Sequence, residues 1–181
     1  MGKDGQDKGS VLLENSVGPE RLSPRVAGVS YDIYFLKRDP GQSWKEAMDA
    51  LEAQDTGTEV PTAPQNWDQV VSGVKEVLGE VSVLENPPAW EIDHEQTAIQ
   101  VSCFSGEWSI SVPYWSNGDA AAEIGGYLPA IAGIVQAATG LEAYDPQVEQ
   151  AVTSDAWTVQ QAVSAFDQVA ESFDKRGIRR G

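Results

Sequence analysis

Between Trp90 and Val112 the chain alternates apolar and polar residues in three successive runs, and this pattern restricts the fold more than any other feature. Trp90 and Ile92 alternate with Glu91 and Asp93. Ile99, Val101 and Cys103 alternate with Gln100 and Ser102, and Trp108, Ile110 and Val112 with Ser109 and Ser111. A period of two sends successive side chains to opposite faces of a strand. The interruptions around His94 to Gln96, and at Ser105 and Gly106, are short enough to be hairpin turns. The segment therefore reads as an antiparallel meander with one apolar face. Burial of each inward side chain contributes roughly 1.5 to 3 kcal/mol, so the rest of the chain has to supply a layer that covers that face.

The flanking sequence supplies such a layer. Tyr31, Asp32, Ile33, Tyr34, Phe35 and Leu36 form a β-branched and aromatic run that Asp39, Pro40 and Gly41 end, as expected of a strand and turn. Ser43 and Glu46 have capping-box spacing, and Trp44, Ala47, Met48 and Leu51 recur on one helical face, which predicts a helix over 44–54. Gly57, Pro61 and Pro64 make 55–64 a loop. Asn66 is placed to cap a second helix, whose stripe of Trp67, Val70, Val71, Val74, Val77 and Leu78 ends at Gly79. A long helix follows Asp119, with Ile124, Leu128, Ile131 and Val135 on one face and Gly140 at its end. Pro129 inside it predicts a kink, or a break near Gly125 and Gly126. A short strand is expected over 141–144. Thr158 and Gln161 form a second capping box ahead of the stripe Val159, Ala162, Val163, Phe166, Val169, Ala170 and Phe173. The order predicts an α+β fold: a largely antiparallel sheet of about four to five strands, including the three-strand meander, with about four helices mainly on one face. Residues 1–28, rich in Gly, Pro and Ser, read as a flexible extension; 29–177 read as a single α+β domain and 178–181 as a basic tail.

Charge limits function more than it specifies it. Residues 29–174 hold 24 Asp and Glu against Lys37, Arg38, Lys45 and Lys75, a net charge near −20 within a chain of −16. Such a field repels nucleic acid and anionic membrane and favours encounter with basic partners. Glu123, Gly125, Gly126, Pro129, Gly133 and Gln136 interrupt the apolar stretch 120–141, which reads as a buried helix and not as a membrane span. The first ten residues carry no apolar segment of the kind a secretory signal needs. The lone cysteine, Cys103, excludes an intrachain disulfide and fits a reducing cytoplasm.

No catalytic residue, metal ligand or cofactor motif emerges. Glu91, Asp93, His94 and Glu95 crowd one hairpin turn, but alternation sends His94 away from its neighbours and the chain has no second His, so a solvated acidic turn is expected. Cys103 lies in an apolar alternation and reads as a core thiol. There is no nucleophile elbow and no phosphate loop. Two carboxylates adjoin aromatic side chains capable of desolvating them, Glu107 beside Trp108 and Asp145 beside Tyr144; both are weighed against plain surface acids. Tyr114 and Trp115 leave the end of a strand and are candidate contact aromatics, weighed against a role in capping the core. The candidate partner-binding set is thus Tyr114, Trp115, Glu107 and Asp145.

The strand at Tyr31 to Arg38 with its Pro-Gly turn and Trp-led helix, the meander from Ile99 to Trp115, and the run Thr139, Gly140, Leu141, Glu142, Ala143, Tyr144, Asp145, Pro146, Gln147 together resemble small bacterial, actinobacterial-type α+β proteins. Those proteins are similar to the immunity proteins of polymorphic toxin systems. The resemblance spans about 30–147, rests on structural motifs, and carries over no catalytic residue. It implies a cytoplasmic acidic protein-interaction module that inhibits by occluding a basic partner such as a nuclease toxin. Two other readings stand beside it. One is a small-molecule hydrolase using paired carboxylates, which requires acids converging in a cleft. The other is a homodimeric structural module with the Ala- and Gly-rich helix as its seam.

Overall fold

The computed structural model describes residues 30–53, 62–114, 116 and 118–175. The extension 1–28, the tail 178–181, Trp115 and most of the loop expected over 55–64 lie outside them. The elements run β1 (Ser30–Leu36), α1 (Trp44–Ala53), α2 (Trp67–Leu78), β2 (Ser82–Asn86), β3 (Ala89–His94), β4 (Ile99–Phe104), β5 (Glu107–Pro113), α3 (Gly118–Thr139), β6 (Glu142–Asp145), β7 (Gln150–Ala151) and α4 (Val159–Lys175). The strands form one sheet in the order β2-β3-β4-β5-β1-β6-β7, with every pairing antiparallel.

The fold is α+β: the described residues form four helices and an open antiparallel sheet of seven strands, more strands than the four to five expected. The two strands that escape sequence reading carry no inward alternation. All five residues of β2 are exposed, and β7 is only two residues long. The meander has the expected register, with Trp90 opposite Cys103, Ile92 opposite Val101, Val101 opposite Ile110, and Cys103 opposite Trp108. Strand β1 enters beside β5, Ile33 facing Ile110 and Tyr31 facing Val112, so the apolar face extends without interruption.

Helices α2, α3 and α4 cover that face. Their buried Trp67, Val70, Val74, Ile124, Leu128, Ile131, Val135, Ala162 and Phe166 join the inward residues of β1, β3, β4 and β5 in one core. Small residues of α2 and α3 are used inside this layer: a Cβ on Gly125 of α3 would meet Val159 Cγ1 at 2.9 Å, and one on Gly73 of α2 would meet Ile134 Cγ2 at 2.7 Å. Close approach of the helices thus accounts for both glycines. Helix α3 is one continuous element through Pro129, so the expected break near Gly125 and Gly126 does not form; α2 and α4 both pack against it. Asn66 does not cap α2. It sits at φ 61° with no side-chain cap, and its amide instead donates to the Ala138 carbonyl at 2.7 Å, tying α2 to α3. Both capping boxes form as expected, Ser43 with Glu46 and Thr158 with Gln161.

Helix α1 lies against the other face at one end, where Leu36, Ala47 and Tyr144 form a smaller cluster with Tyr34, Trp44, Met48 and Leu51. Trp44 stacks on Tyr144 at 4.6 Å, and the Arg38 guanidinium sits 4.2 Å from the Trp44 ring while pairing with Glu142 at 2.9 Å. No described helix is long and apolar enough to cross a membrane.

Candidate functional site

Strand alternation assigns the polar half of the meander to the face that α2, α3 and α4 leave free. One cross-strand row runs Ser82, Asp93, Gln100, Ser111, Asp32. The next runs Leu84, Glu91, Ser102, Ser109, Tyr34, and a third places Asn86, Ala89, Phe104 and Glu107 side by side. Hydrogen bonds run along these rows from strand to strand: Ser111 donates to Asp32 at 2.7 Å, Gln100 donates to Asp93 at 2.8 Å, and the Ser102 and Ser109 hydroxyls lie 3.0 Å apart. These bonds hold the surface in one conformation without removing its charge. Asp32, Glu91, Asp93 and Glu107 all stand on it, and these rows contain no Lys or Arg. Neighbouring strands are about 4.8 Å apart, so the carboxylates sum into a negative potential over a rigid surface.

Two large apolar side chains accompany these acids. Leu84 is 49% exposed and Phe104 44%, and with Val83 they are the exposed large hydrophobic residues among those described. Leu84 and Phe104 share the open face, on either side of β3. Among the described residues, only α1 packs on this face, and only at the end formed by β1 and β6. A depression of about 350 Å³ at the far end is lined by Ser30, Asp93, Glu95, Gln100 and Ser111 among others.

A second polar cluster lies inside the molecule. Asp145 is fully buried at the end of β6, on the helix-covered face. It accepts hydrogen bonds from the Tyr31 hydroxyl, from Trp157 Nε1 at 2.8 Å and from the Gln147 backbone N–H at 2.9 Å. Burial pushes the Asp145 carboxyl above the ordinary carboxylate range, while the donated hydrogen bonds oppose that rise. Burial, reinforced by the adjacent Asp145 charge, also raises Tyr31 far above an ordinary phenol. The proton of the pair therefore stays on Tyr31, and the cluster is a satisfied structural lock joining β1, β6 and the segment before α4.

The candidate set from the sequence is not brought together. Glu107 lies on the open face and Asp145 under the helices, so the sheet separates them and they form no carboxylate pair. Asp145 is unavailable to a partner because it is sealed in the core. Tyr114 is 4% exposed and packs edge-on to Tyr31 and Phe166, with centroids 6.1 and 5.5 Å away; burial pushes its phenol up to about 12. It caps the core and cannot serve as a surface anchor. Trp115 lies outside the described residues. Cys103 is a buried thiol, raised by burial to about 11. His94 turns inward and bonds Thr97 through Nδ1 at 2.8 Å, and no group of His, Cys, Asp and Glu among the described residues is arranged to hold a metal ion.

Alternation in the sequence places Glu91 and Asp93 outward; Asp32, Leu84 and Phe104 become their neighbours only through the strand pairing. The alternation of Asp32 with Ile33 was a usable signal; that of Leu84 was not, since Val83 beside it is also exposed. Compared with models of protein families, with curated proteins and with solved structures, the chain matches none.

Proposed function

We propose that the chain is an acidic protein-interaction module, acting in the cytoplasm as an immunity-type inhibitor whose open sheet face occludes a basic partner such as a nuclease toxin. The observation that carries this reading is the set of cross-strand rows that present Asp32, Glu91, Asp93 and Glu107 with no basic residue among them. Carboxylates held on a sheet occupy positions that phosphates would take on the partner, and their summed field accelerates encounter before contact. Leu84 and Phe104 supply the apolar contact that closes at short range, in place of the buried Tyr114. Because the strands and their hydrogen bonds already fix the surface, docking costs little reorganisation.

The test uses the basic protein that this chain retains from its native cell extract at low salt. Charge reversal at the open face, Glu91→Lys with Asp93→Lys, is expected to weaken retention about tenfold or more, the scale of a lost complementary charge pair. The same reversal on the helices, Glu76→Lys in α2 with Glu123→Lys in α3, is expected to leave retention within about twofold. Equal loss from both pairs, in variants that melt like the parent, would show that bulk charge and not this face selects the partner.

A further inference from the structure

The edge of the sheet adds a second element to this surface. Strand β2 is an outer strand whose five residues are all exposed. Sheet edges in stable proteins are blunted by lysines, by inward charges, by prolines within the strand or by a covering element. Strand β2 has no Lys, and its prolines, Pro87 and Pro88, lie beyond its end. Its one charged residue, Glu85, stands on the helix-covered side and accepts a hydrogen bond from Trp67 Nε1 at 2.9 Å, the single inward charge along this edge. Val83 at 37% and Leu84 at 49% exposure place apolar surface on both sides of the edge.

Resting on the reading of the open face as a docking surface for a basic protein, we infer that an extended basic segment of that partner pairs with β2 as an added strand. Main-chain hydrogen bonds to the edge would supply affinity, and alternate side chains would supply specificity. Side chains on one side of the added strand would lie over the open face beside Leu84, about 10 Å from the strand that carries Glu91 and Asp93, a span that Lys or Arg and a carboxylate reach across together. Side chains on the other side would lie beside Val83. A second copy of this chain is a poor occupant, because each copy carries a net charge of −16 and like fields oppose close approach. At the opposite edge, β7 is two residues long and offers too short a template.

A synthetic peptide alternating Lys and Val, and the same peptide N-methylated at every backbone amide, separate pairing from charge. The two carry the same charge, but only the first donates main-chain hydrogen bonds. With the full chain, the unmodified peptide is expected to bind and to slow hydrogen exchange in Ser82–Asn86, and N-methylation to weaken binding about tenfold or more. Equal binding of both peptides would overturn strand addition while leaving the charged face as the docking surface. Binding of neither would overturn both.

Discussion

Replacement of Asp145 by Ala is expected to lower the unfolding free energy by about 3 kcal/mol, measured by denaturant titration. Removing the carboxylate leaves the Tyr31 hydroxyl and Trp157 Nε1 without their acceptor, in a region where Asp145 and Tyr31 have no exposed surface. Each buried donor left unpaired costs about 1 to 3 kcal/mol. Asp145→Asn keeps the volume but brings an amide N–H toward donors, so a loss of about 2 kcal/mol is expected. The pH dependence of the difference identifies the cause. Asp145 is raised in the folded protein relative to the ordinary value of 3.8, so above that value the unfolded chain releases its proton first. The native state then holds more protons, and the stability contributed by Asp145 falls as pH rises through the native pKa. Asn has no such titration. The gap between parent and Asn variant should therefore narrow from about pH 4 upward; a gap that widens would show that the native state favours the ionised form.

A comparable effect is expected at Phe166. This ring is fully buried in α4, stacked on Tyr31 with centroids 4.7 Å apart and planes at 8°, and meets Tyr114 edge-on. Phe166→Ala removes a large buried side chain and leaves a cavity between α4 and β1, at a cost of about 3 to 5 kcal/mol by denaturant titration. Phe166→Leu retains most of the volume but loses the ring stack and should cost less, about 1 to 2 kcal/mol. Because Tyr31 touches both Phe166 and Asp145, the Asp145→Ala, Phe166→Ala double variant is expected to lose less than the sum of the singles. Strict additivity would mean that Tyr31 does not couple them.

Elements whose own side chains alternate or recur toward the core are legible in this sequence, and those held by neighbours are not. The meander and β1 announce themselves because their inward residues are uniformly apolar. Strand β2 does not, since its pairing with β3 maintains it and Val83 and Leu84 are both exposed. The Asn66 cap fails for a similar reason: the nearest use for its amide is the carbonyl of Ala138, 72 residues away in sequence. Asp145 stands beside Tyr144, an aromatic neighbour that the sequence alone shows. Its side-chain partners are Tyr31 and Trp157, 114 and 12 residues distant, and no local pattern connects them. The outward acids of the meander were readable as a polar face. That the face stays largely free depends on α2, α3 and α4 choosing the other side while α1 covers only one end, a tertiary outcome that strand periodicity does not contain.

Carboxylate footprinting tests the central claim most directly. Carbodiimide labelling of the full chain, alone and with its retained basic partner, reports which acids the partner covers. Docking on the open face predicts that labelling of Glu91, Asp93 and Glu107 falls on binding, while Glu76, Glu123 and Glu171, exposed on α2, α3 and α4, label as before. Protection of Glu76, Glu123 and Glu171 with unchanged labelling of Glu91, Asp93 and Glu107 would contradict it.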